Sequence, residues 1–599
     1  MRNRAAAFRL GLASMPWAIF NRPSIQLASL KSYLDRHSDF RTDLFHPYLK
    51  VAANMGAEQY HYLALNSWAG ESLYAPLLFP EQLASAEKLF YAECKSNPVL
   101  NKLHFQTCLN ALEQNLEQWV DSLDLSSYSL FGFSICFNQL LSTLTAAKYI
   151  KTVCPDLPIV VGGSGCVGDI GASLLQNFSQ IDYVINGEGE EALLQLSRSI
   201  ATKELPVLLP ETILTKGKNA NPCCSSGIKD LNTLPIPDYS FYFKEMQRSF
   251  PENNFIPVLP LEFSRGCWWN RCKFCNLNLQ WHGYRKKTAV RMLDEVQEQA
   301  KRHQCLDFCF TDNALPPKET DTFFANVAQL EIDYDFFAEL RVITAPDTLT
   351  SYHQGGLNAI QIGIEALSSG LLKKMAKGTR CIENIAAMRQ SAEAGIILDG
   401  NLICEFPGSS YEEVEETLRN LDFVLPYTPL SSATFFLGHG SPVAENPRDY
   451  NITAILQHKK NQQLFPPELL QKLTMLIKGY RGNKSQQEKL WKPVYKKIQQ
   501  WHNFHKNRKS AQFPLSYRDG GEFLLVRQER IKGSPLRHRL QGSSRKIYLF
   551  CQRIRSIDEI LSKFPQISKK VLIPFLENLI DKKILFREDD LFLALAVKA

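Results

Sequence analysis

Short apolar runs alternate with helix-length stretches in the first third of the chain, and this alternation predicts the architecture of that part. Residues 129–134, 158–163 and 181–186 are apolar runs that end at or just before glycine or serine. Short strands separated by helices are typical of a doubly wound parallel sheet. Ligands of such sheets bind at the carboxyl ends of the strands. Residues 5–14, which are largely apolar, predict an additional first strand.

A second alternating pattern begins at Pro257. Apolar runs alternate in it with amphipathic stretches such as 290–303 and 411–425. This predicts a partial parallel (β/α)6 barrel whose active site lies at the carboxyl ends of the strands. The predicted strands are residues 261–264, 307–311, 335–340, 359–364, 397–404 and 433–437.

The pattern changes outside these two units, and the changes predict the domain boundaries. Residues 206–256 are rich in Pro, Asn and Lys and have weak periodicity, which is typical of a linker. The predicted α/β chain therefore has a Rossmann-like domain over 1–205, a barrel over 257–450, a basic helical region over 451–515 and a winged-helix-like domain over 516–599.

Composition places the chain among multidomain globular proteins, because 599 residues with 45% apolar and 22% charged side chains are ordinary for that class. The apolar runs are shorter than the roughly 18–20 residues that span a bilayer, so no membrane helix is expected. The basic N-terminus is similar to the start of a signal peptide, but Arg9 interrupts the apolar stretch. Fifteen scattered cysteines do not match a secreted disulfide framework, and we expect a reducing cytoplasm.

The net charge of +7 is concentrated in residues 478–515, which contain ten Lys or Arg and a single acidic residue, Glu488. Such a run is most often a solvated helix face, which is the interpretation that we favour. Two other interpretations stay open. Trp491 and Trp501 lie among the cations, as stacking on nucleic acid would require. Alternatively, the cations contact the acidic leader of a peptide substrate, which the winged-helix unit captures by strand addition.

Three cysteines lie within nine residues directly after the first predicted barrel strand: Cys267, Cys272 and Cys275. Thiolates bind soft metal centres, and loops at this end of a barrel are catalytic positions. A cubane iron–sulfur cluster on three thiolates keeps one iron free to bind a small molecule. A structural zinc site instead needs a fourth protein ligand, for which His282 is the candidate. A zinc loop is therefore the alternative, although the surrounding barrel pattern is not that of a zinc ribbon.

The cysteine motif and three later segments, residues 361–367, 374–379 and 401–408, resemble the radical S-adenosylmethionine (SAM) superfamily. The resemblance implies a 4Fe-4S cluster on the three cysteines, with SAM on its open iron. It also implies reductive cleavage of SAM to a 5′-deoxyadenosyl radical that abstracts hydrogen. Four residues separate the first two cysteines, one more than is usual in that superfamily.

The same resemblance assigns SAM contacts by position, although each of these residues is also compatible with simple strand-end hydrogen bonding. Glu339 and Arg341 on the third strand are further candidates, the latter because a guanidinium suits bidentate pairing with a carboxylate. The assigned residues are Phe274 beside the adenine, Thr311, Asp312 and Asn313 near the amino group, and Glu365 and Asn401 near the ribose or carboxylate.

The N-terminal pattern resembles the cobalamin-binding domain that precedes many radical SAM barrels. Small residues at its strand ends would let the backbone approach the nucleotide tail of the cofactor. The sequence has no Asp-x-His-x-x-Gly motif, whose histidine ligates cobalt in the methionine synthase and mutase families, so the resemblance implies cobalamin without that ligand. The residues assigned to cobalamin are Gly132, Ser134, Gln139, Gly162, Gly163, Gly187, Glu188 and Gly189.

Within the superfamily the chain resembles most the C-methyltransferases that mature ribosomally made, post-translationally modified peptides (RiPPs). The resemblance rests on residues 14–17, 21–27, 163–166 and 591–596 and on the pair Trp268–Trp269. It implies methylation of an unactivated carbon in a precursor peptide, with a reductant such as flavodoxin or ferredoxin. A second hypothesis is radical SAM chemistry of another kind, such as cyclisation, epimerisation or sulfur transfer on a peptide or small metabolite. The third is a non-enzymatic zinc- and nucleic-acid-binding module.

Overall fold

The computed structural model describes residues 8–202, 210–217, 227–252, 255–281, 283–343, 345 and 347–599. His282, the candidate fourth zinc ligand, lies outside these residues. Within the described ranges, no helix has the length and apolarity that a bilayer crossing requires.

The N-terminal part combines one sheet with helices on both faces. In chain order its elements are β1 (Arg9–Ser14), α1 (Ile25–His37), β2 (Arg41–Phe45), α2 (Pro47–Met55), α3 (Ala57–Leu65), α4 (Ser67–Leu78), α5 (Leu83–Cys94), α6 (Phe105–Asp121), β3 (Leu130–Ser134), α7 (Leu140–Val153), β4 (Ile159–Gly162), α8 (Asp169–Asn177), β5 (Tyr183–Ile185), α9 (Glu190–Thr202), β6 (Ile213–Thr215) and α10 (Ser240–Ser249).

The strands of this part form a sheet in the order β2-β1-β3-β4-β5-β6, in which only the β5–β6 pair is antiparallel. Alternate side chains point to opposite faces, so Leu10 and Leu12 join one core, whereas Ala13, Phe131 and Phe133 join the other. The predicted doubly wound sheet is therefore confirmed. The helices α2 to α6, which cover one of these faces, were not identified from the sequence.

The segment expected to be a linker, residues 206–256, instead contributes β6 to the sheet and forms α10. Tyr239, Tyr242 and Met246 are buried at helical spacing. The Tyr242 hydroxyl donates to the carbonyl of Phe20, 2.8 Å away. The part of this interval that the structure describes is thus packed structure, because Tyr239, Tyr242 and Met246 anchor α10 in the core.

The central part is the barrel. Its elements are β7 (Leu259–Leu261), β8 (Ser264–Arg265), β9 (Arg285–Lys286), α11 (Ala289–His303), β10 (Asp307–Phe310), α12 (Pro317–Ala328), β11 (Asp335–Leu340), α13 (Thr348–Gln354), β12 (Leu357–Ile362), α14 (Ser369–Lys374), α15 (Cys381–Ala394), β13 (Ile397–Asp399), β14 (Asn401–Cys404), α16 (Tyr411–Val424), β15 (Ser431–Thr434) and β16 (Leu437–Gly438).

The barrel strands are parallel and follow chain order, as β13-β12-β11-β10-β7 and a separate pair β14-β15. The strand predicted over 397–404 is therefore two strands. Gly400 separates them, at a point where an added Cβ would lie 2.9 Å from the carbonyl oxygen of Ile362. A bridge between Glu365 and Leu402 links β14 back to the end of β12, so the sheet bends at this glycine.

The region predicted to be basic and helical begins with strands. Its elements are α17 (Pro442–Glu445), β17 (Ile452–Gln457), α18 (Asn461–Leu464), α19 (Pro467–Leu470), β18 (Ile477–Gly482) and α20 (Lys484–Asn507). In α20, Trp491 and Trp501 are only 1% and 2% exposed, and the Trp501 indole donates to the carbonyl of Tyr427. These rings cannot stack on nucleic acid, because they pack α20 against α16 and β15. Most lysines of α20 are exposed, whereas Lys497 pairs with Asp422 of α16 at 2.7 Å.

The C-terminal part has three antiparallel strands followed by three helices and a hairpin. Its elements are β19 (Leu515–Asp519), β20 (Phe523–Gln528), β21 (Leu536–Gln541), α21 (Gly542–Phe550), β22 (Arg555–Ser556), α22 (Ile557–Lys563), α23 (Lys569–Asp581), β23 (Leu585–Glu588), β24 (Leu591–Ala594) and β25 (Val597–Lys598).

Candidate functional site

A cavity of about 390 Å³ lies between the N-terminal sheet and the loop that carries the cysteines. The ends of β3, β4 and β5 with residues 187–190 form one side, which we call the N-terminal wall. The barrel wall consists of β8, residues 276–281, Thr311 and Asn313. The carboxyl ends of two parallel sheets therefore open into one space.

Most of the residues that the sequence assigned to cobalamin belong to the N-terminal wall. Gly163 has a φ of 100°, and an added Cβ there would lie 2.7 Å from the carbonyl oxygen of Ile135. Only glycine fits this backbone, which brings the main chain after β4 to the cavity surface. The assigned residues that line the cavity are Gly132, Ser134, Gly162, Gly163, Gly187, Glu188 and Gly189.

Gln139 is the assigned residue that does not line the cavity. Its amide nitrogen donates to Ser14 Oγ at 3.0 Å and to the carbonyl of Met15 at 2.5 Å, and its Oε1 accepts from the amide of Cys136 at 3.0 Å. The residue is 2% exposed. The structure therefore gives Gln139 a bracing role between the ends of β1 and β3, in place of the predicted contact with cobalamin.

Glu188 lines the cavity, but cations of the barrel occupy its carboxylate. Arg265 Nη1 lies 2.7 Å from Oε2, and Arg285 Nη2 lies 2.5 Å from Oε1. Arg265, which is 4% exposed, also pairs with Glu190 and Glu262. Burial alone would raise the pKa of Glu188, but Arg285 and Arg265 outweigh it and hold that pKa below its usual value. This network joins the two walls, two residues before the first cysteine.

The cysteine loop, residues 266–281, is fixed by hydrogen bonds from several sides. The amide of Cys267 donates to Asn278 Oδ1 at 2.8 Å within the loop. The amide of Lys273 donates to the carbonyl of Met375 at 2.9 Å, which anchors the loop to the segment after α14. Because all three cysteines follow β8 in one braced loop, their thiols are held in a defined relation.

The segment 439–442, which follows β16, packs directly on this loop. Asn276 Nδ2 donates to the carbonyl of His439 at 3.2 Å. An added Cβ at Gly440 would lie 2.5 Å from a methyl carbon of Leu279. The segment 439–442 therefore supports the part of the cysteine loop that lines the cavity.

The donor set on the loop fits an iron–sulfur cluster. Cys267, Cys272 and Cys275 are half-buried thiols. Burial raises the pKa of Cys272, and it raises the pKa of Cys275 to about 11, so metal binding would release protons. Among the described residues, no three His, Cys, Asp or Glu side chains converge on one ion position. Each iron corner of a cubane takes one thiolate, so cluster ligands need not converge in that way.

Side chains alternate in direction along an extended segment, and this alternation separates the three residues that were assigned to the SAM amino group. Thr311 and Asn313 line the cavity, whereas Asp312 is 3% exposed and points into the protein. Its carboxylate accepts from the amide of Phe263 at 3.0 Å and from Ser264 Oγ at 2.5 Å. Burial raises the pKa of Asp312 to about 7. Asp312 therefore fixes the strand before the cysteine loop rather than facing a ligand.

Glu365 and Asn401 meet at the bend of the barrel sheet, where the amide of Glu365 donates to the carbonyl of Asn401 at 3.0 Å. The Glu365 carboxylate pairs with Lys377 Nζ at 3.0 Å, and that lysine is 6% exposed. Glu339 lies near this pair, since burial and then the Glu365 charge raise its pKa to about 7. Phe274 packs against the barrel core.

Sequence reasoning missed three cations at the site, Arg265, Arg285 and Lys377. Arg265 stands two residues before the first cysteine, and Lys377 lies inside the 374–379 segment, so both were within recognised motifs. A charged side chain is rarely buried without a partner. The partners of these cations come from elements far away in sequence, and only the fold brings them together.

Comparisons with known proteins agree with this geometry. Residues 261–421 match the model of the radical SAM superfamily. An uncharacterized methyltransferase of Pyrococcus horikoshii is 26% identical over 298 residues, which cover 48% of this chain and 63% of that protein. The chain spans between about half and under two thirds of the length of the first curated relatives that it matches.

Two solved structures share the overall fold. The cobalamin-dependent SAM radical enzyme OxsB, with aqua-cobalamin and SAM bound, has a TM-score of 0.57 at 15% identity, covering 84% of this chain and 67% of that one. The radical SAM methyltransferase TsrM of Kitasatospora setae, with cobalamin and a [4Fe-4S] cluster, has a TM-score of 0.56 at 12% identity, covering 83% and 91%.

The chain thus contains a radical SAM domain. The overall fold is similar to those of OxsB and TsrM, and the α/β class predicted from the sequence is confirmed. The predicted cluster and SAM agree with the match to the radical SAM superfamily, and cobalamin is bound in the two solved structures that share the fold.

Proposed function

We propose that this protein is a cobalamin-dependent radical SAM methyltransferase that methylates an unactivated carbon of a ribosomally made peptide during maturation. The proposal rests on one observation: the glycine-rich N-terminal wall and the cysteine loop border the same cavity. When bound, the cluster supplies the electron that cleaves SAM to a carbon-centred radical, and cobalamin carries the methyl group.

Polar atoms without partners support this use of the cavity. Ser134 Oγ on the N-terminal wall and Asn313 Nδ2 on the barrel wall are buried and have no hydrogen-bond partner among the described residues. Unpaired buried polar groups are costly, and a bound ligand would satisfy them. The glycines of the N-terminal wall would take cobalamin, the three thiols the cluster, and Thr311 with Asn313 would hold SAM beside it.

The walls must keep a fixed distance, because transfer between bound groups depends on their orientation. The Arg265 network provides this connection. Its pairs with Glu188 and Glu190 cross from the barrel to the N-terminal domain at 2.7 and 2.5 Å, with side chains that are 4–6% exposed. A buried, saturated network of this kind excludes water from the junction and resists sliding of one domain on the other.

Cofactor content tests the proposal. The chain would be expressed with cobalamin, purified without oxygen and assayed for iron, sulfide, zinc and cobalt. About four irons and about one cobalt per chain are expected. Iron without cobalt would favour radical SAM chemistry of another kind, such as cyclisation, epimerisation or sulfur transfer. Zinc alone would contradict both. The burial of Trp491 and Trp501 argues against nucleic-acid stacking.

A peptide substrate is favoured by the open edge of the C-terminal sheet. The sheet order is β21-β20-β19-β25, so β21 has no neighbour on its outer side among the described strands. Arg537 and Arg539 on β21 are exposed, and Arg537 lies opposite Arg527 of β20. Arg527 is paired with Glu529 at 2.6 Å, so Arg537 and Arg539 are the exposed cations of this edge, and an acidic segment added along β21 would be attracted to them while pairing its backbone.

A search for a small precursor-peptide gene beside this one, followed by measurement of the binding of that peptide, tests that part of the proposal. The double substitution Arg537→Glu with Arg539→Glu should raise the Kd at least about tenfold, because attraction becomes repulsion. The Kd is measured by fluorescence anisotropy. Lys563→Glu, an exposed cation at the end of α22, should leave the Kd unchanged. Equal affinities for the double variant and the wild type would remove β21 as the docking edge. We also propose a flavodoxin or ferredoxin as the electron donor.

A further inference from the structure

Arg341, which follows β11, lies against the two tryptophans of the cysteine loop. Its guanidinium carbon is 4.4 Å from the ring centroid of Trp269 and 5.3 Å from that of Trp268. One of its nitrogens donates to the carbonyl of Lys377. The sequence suggested that Arg341 pairs with a carboxylate, but among the described residues no carboxylate lies within ion-pairing distance of it.

The two rings are themselves fixed, so the position of the cation is defined. The Trp269 indole donates to the carbonyl of Ala376 at 3.0 Å, and the Trp268 indole donates to that of Leu315 at 3.2 Å. An added Cβ at Gly378 would lie 2.1 Å from the ring of Trp269. Trp268 and Trp269 directly follow Cys267, so Arg341 is held against the loop that carries the cluster ligands.

The nearby Lys377 differs from Arg341 in its charge balance. Glu365 lies 3.0 Å from the Lys377 ammonium and neutralises it. Arg341 has aromatic faces and a carbonyl as partners, which fix its position and leave its full positive charge.

We propose that Arg341 is a positioning residue that raises the reduction potential of the iron–sulfur cluster. This rests on the proposed function, because it requires the cluster on the three cysteines. Reduction adds one electron, supplied by a low-potential flavodoxin or ferredoxin, and forms or breaks no bond in the protein. The reduced cluster carries one more negative charge, and a fixed cation in a half-buried setting stabilises that state.

The test compares Arg341→Gln, Arg341→Lys and a matched control, Lys373→Gln, an exposed cation on α14. The reconstituted proteins, without SAM, are titrated with a low-potential reductant and followed by electron paramagnetic resonance. At a fixed solution potential, Arg341→Gln should lower the ratio of reduced to oxidised cluster about tenfold, which is about 59 mV for one electron. Arg341→Lys should recover part of this loss, and Lys373→Gln should equal the wild type.

Three outcomes would overturn the inference. Equal potentials for Arg341→Gln and the wild type would do so. So would an unchanged potential with weakened SAM binding, which would make Arg341 a ligand of the SAM carboxylate. Loss of iron from both Arg341 variants at unchanged thermal stability would show that Arg341 only holds the loop. If the wild type bound no iron, the proposed function itself would fail, which distinguishes the two failures.

Discussion

The two walls of the cavity present different chemistry to the same space. The N-terminal wall offers glycines, apolar side chains and main chain at the ends of β3, β4 and β5. The barrel wall offers hydroxyl and amide side chains and the buried guanidinium of Arg265, and the thiols lie on the adjoining cysteine loop, outside the residues that line the cavity. A wall of backbone recognises shape, whereas a wall of side chains recognises chemistry. Substitutions that add bulk should therefore impair ligand binding at the N-terminal wall. Substitutions that remove one functional group should impair ligand binding at the barrel wall.

Two buried carboxylates, Glu188 on the N-terminal wall and Asp312 behind the barrel wall, also differ in their surroundings. Glu188 has its pKa lowered, because Arg285 and Arg265 outweigh the effect of burial. Asp312 has its pKa raised to about 7 by burial, since its partners are neutral donors. Glu188 thus acts as a fixed charge that joins domains, and Asp312 acts as a hydrogen-bonding brace within one domain.

Loss of a thiol should have the largest effect. In Cys272→Ala the cluster loses one of three protein ligands, so we expect almost complete loss of iron and of SAM cleavage. Cobalt content should remain near the wild-type value, because the N-terminal wall does not depend on the thiols. Iron and cobalt are measured on the same purified sample. Cys154→Ala, remote from the loop, serves as the control, and joint loss of both metals would show that the walls are not independent.

Removal of Arg265, the cation that joins the two walls, should have the second-largest effect. Arg265→Met would leave the carboxylates of Glu188, Glu190 and Glu262 buried without their shared partner, at a cost of about 3–5 kcal/mol in the free energy of unfolding. Denaturant unfolding measures this. Arg302→Met breaks an exposed helix pair with Glu298 and should cost under about 1 kcal/mol. Similar losses in both variants would refute the bridging role.

A steric change should disable the N-terminal wall alone. At Gly163, alanine meets both a φ of 100° and the carbonyl oxygen of Ile135 at 2.7 Å. At Gly168, with a φ of 57°, alanine meets the backbone cost without any atom within 4 Å. We expect cobalamin affinity to fall at least about tenfold in Gly163→Ala, with iron retained, because the displaced main chain reshapes the cavity. Equal cobalamin affinities for the two variants would contradict this.

Features that a short stretch of sequence determines could be predicted. The three cysteines, the strand 335–340 and the glycines at the ends of β4 and β5 follow from local pattern, since each depends on a residue type within a few positions. The break at Gly400 was missed because β13 and β14 are both apolar, and only the approach of Ile362 requires the bend.

Side-chain direction and long-range pairing could not be predicted. Thr311, Asp312 and Asn313 look equivalent in sequence, but alternation turns only the middle residue inward. Gln139 was assigned to cobalamin by the resemblance, yet its amide is satisfied by the end of β1. The partners of Arg265 come from two domains, and no local pattern encodes such a network.

The smallest effect should be a change in pH dependence at Asp312. Its folded-state pKa of about 7 lies above the ordinary value of 3.8, so the folded protein keeps this proton where the unfolded chain loses it. Its contribution to stability is therefore complete below about pH 4 and is lost as the pH rises to about 7. Asp312→Asn should remove this slope from the dependence of Tm on pH. Glu71 and Glu339, whose pKa values also rise to about 7, stay in both proteins and cancel in the comparison. Parallel Tm curves for variant and wild type between pH 4 and 7 would show that Asp312 ionises normally.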